Sequence, residues 1–124
     1  MNQMIDHLSA VYPEEGCGLA AGNNNLVSQI YPIENILHSQ TAYEMDPLSQ
    51  VKTMLAIETQ ANALLAIYHS HPHGPATPSE TDIAQAYYPE AIYLIISLAE
   101  WDNPSFRGFH ILEGTAVETN IIIE

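Results

Sequence analysis

An apolar run that ends in two histidines constrains this chain more than any other stretch. Residues 63–68 are continuously apolar and are bounded by turn-forming residues, which predicts a buried strand with His69 and His71 at its end. Residues two apart in a strand share one face and lie about 6.6 Å apart along the chain. The two imidazoles are therefore predicted to sit side by side where the strand ends.

The residues after this strand reverse the chain. Three prolines and a glycine within 72–78 disfavour both strand and helix, and a helix is predicted to begin near Ser79 with Asp82 in its first turn, facing the end of the strand. Two neutral imidazoles and one carboxylate form a nitrogen and oxygen ligand set that suits Zn²⁺ and leaves a fourth position for water. His69, His71 and Asp82 are thus the predicted zinc ligands.

Each part of this motif also has a purely structural interpretation. Ser79 followed three residues later by an acid is an ordinary capping box, and a His-x-His pair alone is a weak metal signal. The combination is more specific, because three candidate ligands fall within one short strand, turn and helix. A metal site is therefore favoured over a simple helix cap.

Composition and charge limit the class of protein. The chain has 124 residues, enough for a single domain over residues 1–124, and it is 47% hydrophobic, so it can bury a core. Lys and Arg number 2 against 15 Asp and Glu; the resulting net charge of −13 disfavours nucleic acid and anionic membranes and favours basic partners. With one cysteine, no recognisable signal peptide and no apolar run near ~20 residues, we expect a cytoplasmic protein without internal disulfides.

Helices and strands are predicted to alternate along the chain. The predicted elements are a helix over 1–12, a hairpin of strands over 16–22 and 26–33, a helix over 47–61, the strand that carries the histidines, a helix over 79–88, a central strand over 91–98, and a closing hairpin of strands over 106–112 and 117–123. This order predicts an α/β fold: a single domain with one mixed, mostly antiparallel β-sheet and helices packed on it.

Two details of the middle region are also predicted. Asp46 is a good N-cap for the helix that follows, and Leu48, Val51 and Leu55 are predicted to begin the apolar face that this helix turns to the core, continued by residues 57–61. Residues 34–46 have an irregular pattern, with a short strand predicted around Tyr43.

A water activated by a metal needs a proton acceptor, and two acids precede the first predicted strand. Metal coordination lowers the pKa of water from about 15.7 to about 7, and a nearby carboxylate can take the proton and later return it to a leaving amine. Glu14 and Glu15 are the candidates. Sequence spacing alone brings neither of them to His69, so the residues by themselves leave the choice open.

Together these segments resemble the JAMM motif of the Mov34/MPN/PAD-1 metallopeptidases. The family pattern is a Glu before a glycine-containing apolar strand, then His-x-His-Pro, then Ser-x-x-Asp. The matching stretches here are Glu15-Gly16-Cys17-Gly18-Leu19, His69-Ser70-His71-Pro72 and Ser79-Glu80-Thr81-Asp82. The resemblance covers essentially the whole chain, is closest in type to short stand-alone prokaryotic members, and implies the MPN/JAMM fold, which is cytidine-deaminase-like.

The resemblance also implies roles and an activity. The histidines and Asp82 would be the zinc ligands, Glu15 rather than Glu14 would be the general acid/base, and Ser79 would donate its hydroxyl to the developing oxyanion. Family members cleave peptide or isopeptide bonds, often beside the C-terminal Gly-Gly of ubiquitin-like proteins, and some prokaryotic members process sulfur carriers. The implied function is a zinc metallopeptidase/isopeptidase with a ubiquitin-like or sulfur-carrier protein substrate.

Other interpretations stay open. The alternative function is a catalytically inactive MPN-type protein-binding scaffold, although such scaffolds typically lack a ligand and none is missing here. A nucleophilic Cys17 is another, but a thiol in an apolar strand is more often structural. The sequence does not decide whether His73 or Trp101 contacts substrate. Exposed strand edges are compatible with a homodimer, and no residue pattern points to one.

Overall fold

A computed structural model describes residues 2–122 of the chain. Within them lie helices α1 (Asn2–Val11), α2 (Pro47–Thr59) and α3 (Glu80–Ala84), and strands β1 (Cys17–Asn23), β2 (Leu26–Ile33), β3 (Ala63–His71), β4 (Ile92–Ser97), β5 (Ser105–Leu112) and β6 (Thr115–Thr119). The predicted first helix and last strand include residues 1 and 123, which lie outside the described range. None of the described helices is long and apolar enough to cross a membrane.

The six described strands form one sheet in the order β2-β1-β3-β4-β5-β6. β3 and β4 pair in parallel, and every other described neighbouring pair is antiparallel. Parallel neighbours need a long crossover, and the segment that contains α3 provides it. The predicted α/β class, with a mixed and mostly antiparallel sheet and packed helices, is therefore confirmed.

The C-terminal end of β3 gathers segments that are distant in sequence. Cys17 pairs with His69 in the antiparallel β1–β3 ladder, and His71 pairs with Ser97 in the parallel β3–β4 ladder. The start of β1 and the ends of β3 and β4 therefore meet at one end of the sheet. We call this the histidine end.

Apolar clusters cover both faces of the sheet. On one face α1 packs onto β3 and β4 through Met4, Leu8, Tyr68, Ile96 and Leu98. The other face carries a larger buried cluster, formed by Cys17, Leu19, Ala21, Ile33, Met45, Ile57, Ile67, Ala76, Ala91, Tyr93, Ile95, Phe109 and Ile111. Full burial of one such Leu or Ile side chain stabilises the fold by about 1.5–3 kcal/mol, so both clusters stabilise the sheet that carries the histidine end.

The predicted apolar face of α2 is wrong at Leu48, Val51 and Leu55 and correct at Ile57. Leu48, Val51 and Leu55 are 63%, 56% and 58% exposed, whereas Ile57 is buried and Met54 packs against the core. The helix has apolar residues on more than one side, and only its packing against the sheet decides which side is buried. The helix also ends at residue 59 rather than 61.

Two other predicted elements differ from the structure. The helix predicted over 79–88 ends at residue 84; Tyr88 precedes Pro89, which disfavours helical geometry, and the Tyr88 N–H donates instead to Tyr93 Oη at 2.9 Å. Around Tyr43 the described residues form no strand, and an isolated bridge between Asn35 and Met45 closes the loop. β6 also begins earlier than predicted, at residue 115, and ends at 119.

Candidate metal centre

The predicted ligands meet at the histidine end. The Nε2 atoms of His69 and His71 lie 3.1 Å apart, and Asp82 Oδ2 lies 3.2 Å from the first and 3.0 Å from the second. The strand places both imidazoles on one face, and both residues are buried. Asp82 comes from the first turn of α3, where Ser79 is the N-cap, so the crossover brings its carboxylate over the end of β3.

The tautomer of His71 shows what this arrangement accepts. His71 Nδ1 lies 2.8 Å from the Pro75 carbonyl oxygen, and because a carbonyl only accepts, Nδ1 carries the proton. Nε2 of the neutral ring is then a lone pair that faces Asp82 Oδ2 at 3.0 Å. A lone pair and a carboxylate oxygen repel at that distance unless a proton on Nε2 or a metal ion bridges them, and without a metal the proton gives the hydrogen bond with Asp82. The donor atoms therefore fit a metal ion, and Pro75 orients a ligating imidazole from outside.

Glu15 also reaches this cluster. One of its carboxylate oxygens lies within 4.8 Å of ligand nitrogens on His69 and His71, and the residue is 3% exposed. Its Oε1 has no hydrogen-bond partner among residues 2–122. Burial raises the pKa of Glu15 to about 7, against the opposing charge of His71 and with a further rise from the Asp82 carboxylate. A carboxyl group that titrates near neutrality can both accept and return a proton.

The two carboxylates at the site have opposite surroundings. Burial alone would raise the pKa of Asp82, but its hydrogen bonds with His69 and His71 outweigh that effect and hold the pKa far below the usual range. Glu15 has a raised pKa and no bond to either ring. Carboxyl groups whose pKa values are pushed apart typically take different roles. The geometry favours Asp82 as a ligand and Glu15 as a proton carrier.

Contacts distant in sequence hold Glu15 in place. Its N–H donates to the Ser39 carbonyl at 2.8 Å, and its own carbonyl accepts from Asn35 Nδ2 at 3.0 Å. The next residue, Gly16, donates its N–H to Ser70 Oγ and accepts the Ser70 N–H, both at 2.9 Å. Asn35 and Ser70 are positioning residues that the sequence analysis missed, because a buried asparagine or serine gives no distinctive sequence signal.

Tyr43, around which the sequence predicted only a short strand, is a third residue of the site. Its ring stacks on the His69 imidazole, with ring centroids 4.5 Å apart and planes at 28°. His69 Nδ1 is buried and finds no hydrogen-bond partner in the described part of the chain. The stacked phenol therefore restrains a ring that lacks the outer hydrogen bond usual for a metal-bound histidine.

Ser79 lies beside the cluster in the capping box. Its N–H donates to Asp82 Oδ2 at 2.9 Å, and its Oγ accepts the Asp82 N–H at 3.0 Å. A hydroxyl that accepts one bond still has its own proton to donate. The structural role of Ser79 is thus present, and it leaves a donor next to the candidate ligands.

Cys17 lies on β1 next to the site and is fully buried. Its thiol donates to the Ile33 carbonyl at 3.4 Å. Burial, with a smaller contribution from the Glu15 carboxylate, raises the pKa of Cys17 to about 12. A thiol held neutral in this way is a structural residue rather than a nucleophile.

His73 and Trp101, for which the sequence offered no role, belong to one group of rings. Tyr12 packs edge-to-face with both, at centroid distances of 5.6 Å to His73 and 4.8 Å to Trp101. His73 Nε2 also lies 3.2 Å from Gln40 Oε1. We call Tyr12, His73 and Trp101 the aromatic patch.

Comparison with known proteins places the chain in a family. The family described as prokaryotic homologues of the JAB domain matches residues 1–109. A probable TtuB-protein conjugate cleaving protease from Thermus thermophilus is 48% identical over 112 residues, which cover 90% of this chain and 71% of that protein. A CysO-cysteine peptidase from Mycobacterium tuberculosis is 32% identical over 120 residues, which cover 95% of this chain and 82% of that protein.

A solved structure agrees with the family match. The solution structure of a Desulfitobacterium hafniense protein aligns with a TM-score of 0.89 at 34% sequence identity, and the alignment covers 100% of this chain and 88% of that one. The resemblance to the JAMM motif is therefore confirmed, and the chain belongs to the family of prokaryotic homologues of the JAB domain.

Proposed function

We propose that the chain is a zinc-dependent metallopeptidase that cleaves a peptide or isopeptide bond beside the C-terminal Gly-Gly of a ubiquitin-like or sulfur-carrier protein. The observation that carries this proposal is that His69, His71 and Asp82 lie together beside Glu15. The Glu15 Oε1 atom is buried and has no hydrogen-bond partner among residues 2–122. Similarity to proteins named for cleaving TtuB conjugates and for a CysO-cysteine peptidase activity supports the substrate class. A cytoplasmic location stays a prediction.

The ligand set defines how the ion would be held. His69 and His71 would offer their Nε2 atoms and Asp82 its Oδ2, a donor set that zinc accepts in catalytic sites. When bound, zinc supplies Lewis acidity, which lowers the pKa of water to about 7 and polarises a carbonyl. The Pro75 carbonyl keeps the His71 tautomer that this role needs.

Glu15 carries the proton through the hydrolysis. Its carboxylate accepts a proton as the water oxygen bonds to the scissile carbonyl carbon, and it delivers that proton to the nitrogen as the carbon–nitrogen bond breaks. The products are the carboxyl terminus of the carrier and a free amine. Burial, which raises the pKa of Glu15 in the metal-free chain, favours a carboxyl group that can both accept and release a proton. The Ser79 hydroxyl donates to the oxygen that gains charge.

Metal content and cleavage test the proposal together. Protein purified without chelator or metal-affinity resin is analysed for zinc and assayed on a carrier extended beyond its Gly-Gly. We expect about one zinc per chain in the parent and much less in Asp82→Ala, with loss of cleavage. Asp46→Ala is the matched control: it removes the N-cap of α2, costing about 1 kcal/mol of stability, and keeps the zinc.

Three outcomes would contradict the proposal. A parent that takes up no zinc at neutral pH, or an Asp82→Ala variant with the zinc content of the parent, would remove these residues from a metal site. A folded parent that binds zinc but cleaves no carrier extension would instead favour the alternative, an inactive protein-binding scaffold.

A further inference from the structure

We propose that the aromatic patch, with the acids beside Trp101, docks a lysine-rich segment of the protein attached to the amine side of the scissile bond. This inference rests on the proposed function and deepens it, because it assigns the class of leaving group. The occupant is a basic polypeptide segment, rather than a free amino acid or an acidic partner.

The aromatic patch borders the catalytic site. Tyr12 is three residues from Glu15 and His73 is two from His71, so their Cα atoms lie within about 11 Å and about 7 Å of those residues. Trp101 follows the C-terminal end of β4, which pairs with the end of β3 at the histidine end, and its ring packs on Tyr12. Three separate loops thus place their rings on the same rim.

The chemistry puts the leaving group on this side of the site. Glu15 returns its proton to the leaving nitrogen, so that nitrogen must lie next to Glu15 when the bond breaks. Tyr12 belongs to the segment that leads directly to Glu15. A polypeptide attached to the leaving nitrogen therefore has the aromatic patch within reach.

The patch has the character of a protein interface. Trp101 is 52% exposed and Tyr12 is 38% exposed, and exposed tryptophan and tyrosine side chains are typical of surfaces that bury them on binding. The rings hold one another edge-to-face, and Gln40 contacts His73. Because the rings are already arranged, little side-chain entropy is lost when a partner binds.

Charge selects a basic partner. Trp101 stands between Glu100 and Asp102, both exposed, while the two basic side chains of the chain lie elsewhere, Lys52 on α2 and Arg107 in an ion pair on β5. Lysine and arginine gain both from carboxylates and from the faces of aromatic rings. An acidic segment would be repelled by the same carboxylates.

Fluorescence tests binding without any cleavage, because Trp101 is the single tryptophan of the chain. The full chain is titrated with a short peptide that alternates lysine with glycine and serine, and with the same peptide carrying glutamate for lysine. We expect a saturable change with the lysine peptide that weakens at least about fivefold when salt is raised from about 0.05 M to about 0.3 M. No saturation with the lysine peptide, or equal binding of both peptides, would overturn the proposal.

Matched charge variants distinguish the effect of the two carboxylates beside Trp101 from the effect of the net negative charge of the chain. Glu100→Gln with Asp102→Asn is expected to weaken binding of the lysine peptide at least about threefold. Glu58→Gln with Glu113→Gln makes the same change in net charge at the opposite end of the sheet, where α2 and β5 end, and is expected to change it less than about twofold. Equal weakening in the two pairs would overturn the proposal.

A cleavage assay tests whether the same surface makes the enzyme prefer a lysine-rich leaving group. Two conjugates of one carrier are compared, one joined to the lysine peptide and one to a small fluorogenic amine. Trp101→Leu is expected to lower the ratio of their kcat/KM values about tenfold, and the Glu58 and Glu113 pair to leave it unchanged. An unchanged ratio in Trp101→Leu would overturn the proposal. A parent that cleaves neither conjugate would refute the proposed function, and the titrations would still decide the docking surface.

Discussion

Glu14 and Glu15 are adjacent in the chain, and both face histidines, but their surroundings are opposite. Glu14 Oε1 lies 3.1 Å from His38 Nδ1 at the surface, where the two side chains are 38% and 58% exposed. Glu15 faces His69 and His71 in the interior. Glu14 lies in a bend after α1, where its N–H donates to the Val11 carbonyl, and its side chain stays in water, whereas Glu15, two residues before β1, enters the site. Burial, rather than residue type, therefore decides the role of each acid.

The electrostatic consequences follow from the same difference. Hydrogen bonding to Glu14 raises the pKa of His38, and water screens the charges of this pair, so the contact contributes little to stability. In the interior, burial raises the pKa of Glu15 to about 7. Loss of solvation therefore disfavours the charged form of the buried acid more than that of the exposed acid. The buried acid binds its proton more tightly as a result, which suits a proton carrier.

The largest expected contrast between the two acids is catalytic. Glu15→Gln is expected to lower kcat/KM for a carrier extended beyond Gly-Gly by about 10²–10⁴-fold, because it cannot accept the proton. Glu14→Gln is the matched control and should stay within about twofold of the parent. Zinc content, measured on the same samples, should remain near that of the parent in both. Equal rates for the two variants would break the comparison.

Next in size is a pH-dependent difference in stability of the metal-free protein. The pKa of Glu15 is raised from its ordinary 4.5 to about 7, so the folded state binds this proton more tightly, and stability is lost as pH rises through that interval. Glu15→Gln removes the charge, and its free energy of unfolding relative to the parent should rise by up to about 3 kcal/mol between pH about 4.5 and about 8.

Urea unfolding in chelator at several pH values measures this difference. Other titrating groups are common to both proteins and largely cancel in the comparison. Glu14→Gln is again the control and should show a much smaller trend, because it removes only a solvent-screened contact with His38. A difference between Glu15→Gln and the parent that does not vary with pH would show that the buried acid bears no such cost.

Tyr43 is expected to support the buried site in a way that has no counterpart at the exposed pair. Its ring stacks on the His69 imidazole, whose Nδ1 has no hydrogen-bond partner within residues 2–122. Tyr43→Leu is expected to weaken zinc binding about tenfold, as loss of outer-shell support commonly does. Tyr43→Phe keeps the stacked ring and should bind zinc within about twofold of the parent. Competition with a chelator of known affinity gives both values. Equal weakening in the two variants would mean that the hydroxyl, not the stacked ring, supports His69.

The smallest effect is expected at the exposed pair. His38→Asn removes the contact with Glu14 while keeping a residue that tolerates the positive φ of 47°. The thermal unfolding midpoint should stay within about 2 °C of the parent, with or without added salt. A loss comparable to that of a buried-site variant would contradict the view that solvent exposure makes this pair weak.

Several features of the protein were predictable from sequence because their causes are local. A continuous apolar run with two histidines at its end predicted β3, and prolines with Ser79 predicted the turn and the cap that carries Asp82. These patterns depend on residues within about a turn or a strand of one another. The motif resemblance extended them to the family, and the family match confirmed that step.

Other features depended on contacts that no local pattern encodes. The choice of Glu15 over Glu14 follows from the way Gly16 pairs with Ser70, 54 residues away, and from the Asn35 contact. Packing on the sheet decided which side of α2 is buried: Ile57 is buried as predicted, but Leu48, Val51 and Leu55 are exposed.

The sequence by itself determined the candidate ligands, the sheet-forming pattern and the family, because each depends on short motifs whose residues lie close together along the chain. The family resemblance already implied Glu15, and only the tertiary structure showed how that acid enters the site, that Tyr43 stacks on His69, and that Tyr12 and Trp101 share one surface. These placements result from sheet pairing and burial between distant segments, where packing rather than local propensity sets the geometry.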